Sequence, residues 1–307
     1  LIKGKDLQFY GAIYQKGLYL LNIEKQRKTE IFSIDKNGKK DSSYYFGASK
    51  DKNGILYFPT HYGTVKYDYL RAKKLETGVS LITRQDPISG QIVLGQRNGI
   101  AFLNEKEQIE YFIDSTGIRV NGHCSSIGFG PGGDIWVGTW LSLAVFFREM
   151  KTFVPVSEIY SNCPESGIVS MTSDYKNNLW MGGISGLWLF DVAKNEFTQI
   201  AKNFFNTYIS TIISPDSSLL LIGTSYEIFA LNLKNFYQNN QIEIKTYNFR
   251  NGFVAEETSQ NGFVQDGRMV YIPSSTYTSL PPVGVLPAPS FSAISPILHQ
   301  TQLSGNS

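Results

Sequence analysis

The 307-residue sequence has no long apolar runs, no long runs of like charge, and few cysteines and histidines. No window approaches about 18 consecutive apolar residues, so no membrane-spanning helix is predicted. The formal net charge is +2 with acidic and basic residues interspersed, which does not fit a nucleic-acid-binding protein. We therefore predict no nucleic-acid partner, and contact with a membrane only through segments outside this chain.

The two cysteines, Cys124 and Cys163, are too few for a disulfide framework and too far apart in sequence for a metal knuckle. They leave two alternatives open, a single disulfide or two thiols. The chain has only three histidines, His61, His123 and His299, so a two-histidine metal site would also need nearby carboxylates. We predict no metal and no cofactor.

The acidic pair Glu256 and Glu257 is the nearest approach to a hydrolytic site. Adjacent residues on an extended strand point to opposite faces, so these two carboxylates cannot both flank one glycosidic bond. We therefore predict no catalytic residues. The N-terminus, "LIKGKDLQFY", has neither an initiator Met nor the layout of a signal peptide, so we expect a processed or excised piece of a longer protein.

Aromatic residues and glycine are plentiful, at 14% and 28 residues, which favours β structure with tight turns and little helix. The segment "NNLWMGGISGLWLFD" at 177–191 recurs along the chain. The copies lie near residues 6–22, 54–68, 90–104, 133–147, 177–191, 218–232 and 268–282. Their mean step of about 43 residues is typical of blades with four strands.

Each copy predicts the two middle strands of a four-stranded antiparallel meander, with a small-residue strand before it and an outer strand after it. Such a sheet has two apolar faces and must stack against its neighbours. We therefore predict an all-β chain, a seven-bladed β-propeller with four-stranded antiparallel blades, forming one domain over residues 1–307. Residues 283–307 form a tail, and we expect 290–297 to pair with the first blade and close the ring. Trp136 and Trp180 are interpreted as packing between blades.

The cassettes "GDIWVGTW", "NNLWMGGISGLWLFD" and "LLLIGTSYEIFALN" resemble the two-component regulator propeller repeat, D-x-x-G-x-L-W-x-G-T-x-x-G-L-x-x-F-D. The resemblance covers residues 1 to about 282. It implies the periplasmic sensor of a hybrid two-component receptor of Bacteroides-type bacteria, a class that commonly detects glycan breakdown products. It also implies segments outside this chain: a second propeller, an immunoglobulin-like stalk, a membrane span, a histidine kinase, a receiver and a DNA-binding module. By resemblance, the full-length receptor is a kinase and a homodimer.

In a propeller, the turn between the second and third strands of each blade and the loop leading into its first strand lie on one face. The turns supply Tyr14, Gln15, His61, Tyr62, Arg97, Asn98, Trp140, Ser185, Tyr226, Thr276 and Tyr277, and the loops supply Tyr44, Tyr45, His123, Glu165, Tyr208, Glu256 and Glu257. Flat rings beside hydrogen-bonding groups suit a sugar. The predicted ligand-binding residues are His61, Tyr62, Arg97, Asn98, His123, Trp140, Tyr208, Tyr226 and Glu256.

These observations lead to a non-enzymatic periplasmic sensor that binds an oligosaccharide or other small ligand and signals to a histidine kinase. Two alternatives stay open. One is a propeller lyase or glycosidase, which needs His61, His123 and the carboxylates at 256–257 to converge. The other is a protein-interaction platform with a broad apolar patch on one face.

Overall fold

The structure is a computed structural model. It describes residues 1–13, 17–22, 27–32, 44–130, 132–202, 204–205, 207–248, 250, 262–266, 269–273 and 283–287. Within these residues the chain is mostly β-strand, with short helices at Val156–Ile159 (α1) and Leu233–Asn239 (α2). None of the described helices is long and apolar enough to cross a membrane. The chain divides into a first compact unit, residues 1–161 with 165–168, and a second, residues 162–164 with 169–307.

The first unit holds four antiparallel sheets in which each strand pairs with the next one along the chain. Blade 1 consists of β1 (Ile2–Lys3), β2 (Phe9–Ile13), β3 (Gly17–Asn22) and β4 (Arg27–Phe32), and blade 2 of β5 (Ser49–Lys50), β6 (Leu56–Thr60), β7 (Gly63–Tyr67) and β8 (Ala72–Leu75). Blade 3 consists of β9 (Thr83–Gln85), β10 (Ile92–Gln96), β11 (Gly99–Leu103) and β12 (Ile109–Ile113), and blade 4 of β13 (Cys124–Phe129), β14 (Ile135–Thr139), β15 (Leu143–Phe147) and β16 (Thr152–Pro155).

The second unit holds two more sheets of the same kind and one smaller sheet. Its first sheet begins with β17, of which only the first residue, Ile168, belongs to the first unit. Blade 5 consists of β17 (Ile168–Ser173), β18 (Leu179–Gly183), β19 (Gly186–Asp191) and β20 (Glu196–Ile200). Blade 6 consists of β21 (Ile209–Asp216), β22 (Leu219–Thr224), β23 (Ile228–Asn232) and β24 (Ile244–Tyr247). The terminal sheet consists of β25 (Val264–Asp266), β26 (Met269–Pro273) and β27 (Val283–Pro287).

The all-β class and the four-stranded antiparallel blade are confirmed, but the predicted count of seven is wrong. Six sheets have four strands, as in a six-bladed arrangement, and the seventh cassette lies in the three-stranded terminal sheet. The seventh cassette was expected to fold back by residue 282, whereas β26 pairs with Val283–Pro287, which was assigned to the tail. Pro273 ends β26 and has no N–H to extend a ladder. Residues 290–297 lie outside the described residues, and the first strand of blade 1 is Ile2–Lys3.

Apolar side chains between neighbouring sheets hold each unit together. In the first unit, Val93 of blade 3 shares a buried cluster with Ile135 and Val137 of blade 4. In the second unit, Trp180 of blade 5 is fully buried in a cluster with Ile222 of blade 6. A tryptophan in such a position removes roughly 200 Å² from water, or at most about 5 kcal/mol. The interpretation of Trp180 as a packing residue is confirmed.

The glycine that opens the third strand of a blade is required by close approach to the backbone. A Cβ on Gly63 would lie 2.2 Å from the carbonyl oxygen of Leu75, and one on Gly186 would lie 2.3 Å from that of Phe205. Both glycines also have positive φ, 124° and 89°, a region that residues with a Cβ rarely adopt. The recurring Gly in the cassette therefore sets the geometry of the turn.

An aspartate stands between the first and second strands of several blades, at what we call the aspartate end. Asp51 accepts hydrogen bonds from the backbone N–H of Asn53 and Ile55 and from the Tyr57 hydroxyl, at 2.9, 2.9 and 3.2 Å. Asp174 repeats this in blade 5 and accepts from the Trp180 indole at 2.8 Å. Each carboxylate thus ties its turn to an aromatic residue on the following strand.

Candidate functional site

The opposite end of each blade, where the second strand turns into the third, is the inner-turn end. Loops leading into first strands reach the same end in two places in the first unit. Tyr45, ahead of β5, forms a β-bridge with Thr60 at the end of β6, and His123, ahead of β13, forms one with Arg97 in the β10–β11 turn. The predicted association of inner turns with these loops is therefore present in blades 2 to 4.

In blade 2 the inner-turn end carries a cluster of aromatic rings. The His61 ring is stacked on Tyr62, with centroids 4.5 Å apart, and lies 4.3 Å from the ring of Tyr44. The backbone N–H of Tyr44 donates to His61 Nδ1 at 3.3 Å, which fixes the imidazole. Lys74 Nζ lies 5.4 Å from the Tyr62 centroid. Tyr62 remains 61% exposed, so the cluster is accessible to solvent at this residue.

In blade 3 the β10–β11 turn presents Arg97 and Asn98. Asn98 has φ +57°, a left-handed conformation that asparagine tolerates. The Asn98 side-chain oxygen accepts a hydrogen bond from the backbone N–H of Gly122 at 3.0 Å, and the Asn98 backbone N–H donates to the Gly122 carbonyl oxygen at 2.7 Å. Asn98 therefore anchors the loop that carries His123, while the Arg97 side chain is exposed.

His123 is partly buried, and its Nδ1 atom has no hydrogen-bond partner among the described residues. Burial, together with the nearby positive charge of Arg97, lowers the pKa of His123 below its ordinary value. The imidazole is therefore neutral at pH 7, and the positive charge at this position belongs to Arg97.

In blade 4 the β14–β15 turn places Trp140 at the surface, 43% exposed. The turn is held by Thr139 Oγ1, which accepts from the backbone N–H groups of Leu141 and Ser142 and donates to the carbonyl oxygen of Asn121 at 2.6 Å. The next segment packs on it so closely that a Cβ on Gly167 would lie 2.1 Å from the Trp140 carbonyl oxygen. The Trp140 ring is thus presented from a rigid turn.

The remaining predicted site residues lie in the second unit or outside the described residues. Tyr208 and Tyr226 belong to the second unit, where Tyr208 precedes β21 and Tyr226 lies in the β22–β23 turn, 78% exposed. Glu256 lies outside the described residues. Cys124 and Cys163 are both buried thiols, so the disulfide alternative is not what the structure shows. Burial raises the pKa of the Cys124 thiol, which makes it a poor nucleophile.

The described part of the chain shows no group of three or more metal-binding side chains. His61 contacts aromatic rings and His123 contacts Arg97, so neither has a carboxylate partner in these contacts. The arrangement is suited to holding a ligand by stacking and hydrogen bonds.

The chain resembles several solved structures at low sequence identity. It matches a streptogramin B lyase at 13% identity and TM-score 0.66, over 88% of each chain. It also matches U3-55K at 8% identity and TM-score 0.67, over 93% of this chain and 92% of that one, and the RRP9 WD40 repeats at 8% and 0.66, over 90% and 86%. The chain has a β-propeller fold. At these identities the likeness extends to the fold alone.

The propeller also matches the extracellular domain of a hybrid two-component system of B. thetaiotaomicron, at 14% identity and TM-score 0.48. That match covers 94% of this chain and 51% of the other, and its score is too low to carry an argument about function. No protein-family profile matches the propeller, and no curated protein matches it.

Sequence reasoning missed two residues at this end of the propeller, Gln96 and Ser166. Gln96 is the last residue of β10 and is only 6% exposed, yet its side-chain nitrogen has no partner among the described residues. Ser166 Oγ, beside the Trp140 turn, is also buried and has no hydrogen-bond partner among the described residues. A polar residue in an otherwise apolar strand, as in "IVLGQ", was the available signal for Gln96.

Proposed function

We propose that this chain is a non-enzymatic sensor propeller that binds a glycan-derived ligand at the inner-turn end of blades 2 to 4. The observation that carries the proposal is the exposed Tyr62 side chain, whose ring is stacked on His61, which in turn contacts the ring of Tyr44. Sugars offer apolar ring faces for stacking and hydroxyls for hydrogen bonds. Trp140 adds a second exposed ring, and Arg97 adds donors between the two.

The packing of the cluster favours recognition over a purely structural role. A ring needed for stability would be buried, whereas Tyr62 exposes 61% of its surface. The His61 ring accepts a hydrogen bond from the Tyr44 backbone N–H, so the Tyr62 ring stacked on it has a defined orientation before any ligand binds. Such preorganisation reduces the entropy lost on binding.

The signalling half of the proposal rests on the cassette resemblance. In this view the propeller is the periplasmic part of a hybrid two-component receptor, and it works as a homodimer through segments outside this chain. Ligand binding transmits a signal only if it favours one receptor arrangement over another. The proposed receptor therefore exists in two arrangements that differ in affinity for the ligand.

Calorimetry of this propeller against a broad oligosaccharide panel tests the proposal. We expect at least one sugar to bind. We expect Tyr62→Ala to lower the affinity for that sugar about tenfold, since one aromatic stacking contact contributes roughly 1 kcal/mol or more. Tyr111→Ala is the matched control, because Tyr111 is 48% exposed on the outer strand of blade 3, away from the inner turns. Failure of every sugar to bind, or equal losses in both variants, contradicts the proposal.

A further inference from the structure

The first strand of each four-stranded blade forms one edge of its sheet, which we call the first-strand edge. In blades 1 to 3 this edge carries the cations Lys3, Lys50 and Arg84, whereas no acidic residue lies within the strands β1, β5, β9 and β13. The first strands of blades 1 to 3 are neighbours, because Lys50 Nζ lies 3.5 Å from the Lys3 carbonyl oxygen and Ser49 Oγ donates to Thr83 Oγ1 at 2.7 Å. Charges of one sign on neighbouring strands attract anions to this edge.

Arg84 projects from β9 on the face of blade 3 that packs against blade 4. It pairs directly with Val93 of β10, and directly paired residues of neighbouring strands lie on the same face. Val93 shares a buried apolar cluster with Val137 of blade 4 and with Ile127, which pairs with Val137. Ile82, two residues before Arg84, belongs to the same cluster. The Arg84 side chain therefore starts from a face whose surroundings are apolar.

The charge of Arg84 is uncompensated. Arg84 is only partly exposed, and its guanidinium makes no hydrogen bond, ion pair or ring contact with any residue in the described ranges. Arg148 is the only other described arginine that is not exposed, and it is held by the Asp86 carboxylate and the Gly133 carbonyl oxygen. Burial lowers the pKa of the Arg84 guanidinium below its ordinary value, but an arginine remains protonated in proteins.

The carboxylate closest to Arg84 in sequence on this face already has other partners. Asp86 lies two residues beyond Arg84 and faces blade 4 as well, because both of its carboxylate oxygens accept from Arg148. The same oxygens also accept from the Ile88 backbone N–H and from the Ser89 backbone N–H and hydroxyl. A charge on an apolar face without a partner is costly. An anion from solution would remove this cost.

We propose that Arg84 binds an oxyanion group, a carboxylate or a phosphate, at the first-strand edge of blade 3. The planar guanidinium donates two parallel hydrogen bonds to oxygens of the anion. Lys3 and Lys50 on the neighbouring strands raise the local concentration of anions. The site goes beyond the proposed sugar binding, because it lies on a first strand and not on the inner turns, and it stands even if no sugar binds.

Thermal unfolding at constant ionic strength tests this site with sodium phosphate, sodium acetate and sodium chloride. We expect phosphate or acetate to raise the Tm of the native propeller saturably, by about 3 °C relative to chloride. Arg84→Met is expected to abolish this rise, and to raise the Tm in chloride because it removes the uncompensated charge. Arg71→Met is the matched control, since Arg71 is exposed and its guanidinium lies 3.9 Å from Asp68. It is expected to leave the response to the anions unchanged.

The Tm of Arg84→Met in chloride distinguishes an anion site from a structural role. Arg148→Met removes an arginine that has a partner, so it is expected to lower the Tm. If Arg84→Met lowers the Tm as much, Arg84 has a partner within the chain and the proposal is wrong. Equal responses of the native and Arg84→Met propellers to phosphate and acetate also overturn it, because the rise is then a general effect of these salts.

The two oxyanion probes identify the chemistry of the ligand group. A larger rise with phosphate assigns the site to a tetrahedral oxyanion, and a larger rise with acetate assigns it to a carboxylate. Calorimetry with the preferred anion is expected to show a single saturable site in the native propeller and in Arg71→Met, and none in Arg84→Met. Retention of that site in Arg84→Met would contradict the proposal.

Discussion

The two ends of the blades follow different rules. At the aspartate end, Asp51 and Asp174 have the same role in different blades: each accepts hydrogen bonds from backbone N–H groups of its own turn and from an aromatic residue on the following strand. At the inner-turn end, equivalent turns carry unlike residues, Tyr62, Arg97 and Trp140 among them. Repeated chemistry indicates a structural task, whereas residues that differ from blade to blade are available for recognition.

Blade 4 has a glycine at the position that corresponds to Asp174 in blade 5. The spacing from Asp174 to Trp180 is six residues, and six residues before Trp136 stands Gly130. A Cβ on Gly130 would lie 2.8 Å from Trp136 Nε1, so the indole occupies the place that a side chain would take. In blade 3 the aspartate is present, but Asp86 binds the Arg148 guanidinium of blade 4. The position is used in each case, with different partners.

The largest expected effect comes from Asp174→Ala. The change leaves the Trp180 indole N–H, the Tyr237 hydroxyl and two backbone N–H groups without their acceptor. We expect unfolding in urea to show a loss of about 4 kcal/mol. Asp216→Ala is the control, with an expected loss of about 1 kcal/mol, because among the described residues the Asp216 carboxylate accepts hydrogen bonds only from Ser218 of its own exposed turn. Similar losses in both variants would mean that the hydrogen bonds of Asp174 to aromatic residues add no stability beyond that of an exposed turn.

Arg148→Met should have the next largest effect. It leaves the fully buried Asp86 carboxylate without its cation, and we expect a loss of about 3 kcal/mol at pH 7. Lys151→Met is the control, because the Lys151–Glu110 pair is exposed on both sides and its loss should cost less than about 0.5 kcal/mol. Urea unfolding measures both, and equal losses would mean that the Asp86–Arg148 pair contributes nothing beyond a surface pair.

The pH dependence of the same variant provides a second measurement. Burial alone would raise the pKa of Asp86, but hydrogen bonds from Ser89, Arg148 and the Ile88 backbone outweigh burial and hold the pKa below its ordinary value. A lowered folded-state pKa contributes stability above the unfolded-state pKa, and this contribution is lost as the pH falls through the folded-state value. Without Arg148 the folded-state pKa of Asp86 rises, so less stability should be lost on acidification and the loss should end at a higher pH. An unshifted acid transition contradicts this account.

The sequence predicted the repeating parts well because they depend on local chemistry. The recurring cassette located the middle strands of blades 2 to 6, and the Asp68 and Asp191 side chains near the ends of two cassettes bind the backbone of their own turns. The bonds from Tyr57 to Asp51 and from Trp180 to Asp174 were not predicted, although the six-residue spacing is visible in the sequence. The predicted count of blades was wrong at the last cassette, since no local signal shows that β26 pairs with residues beyond Pro281 and Pro282.

The site could be predicted only as a set of positions. Turn and loop placement named Tyr44, His61 and Tyr62 without showing that their rings would stack. The Asp86–Arg148 pair joins residues 62 positions apart, and no pattern of period or spacing links them. The unpartnered Gln96 amide depends on how closely Gly95 approaches blade 4, which is a property of packing and not of sequence.

The smallest effect on stability is expected from Tyr226→Ala, at the inner turn of blade 6. Tyr226 is 78% exposed, so urea unfolding should change by less than about 0.5 kcal/mol. Tyr226 is also a predicted ligand-binding residue, so calorimetry is expected to show about threefold weaker sugar binding in this variant, less than for Tyr62→Ala, because no stacked neighbour fixes the Tyr226 ring within the described residues. An unchanged affinity would contradict the prediction for Tyr226, whereas a loss of stability would show that this exposed inner-turn residue also serves the fold.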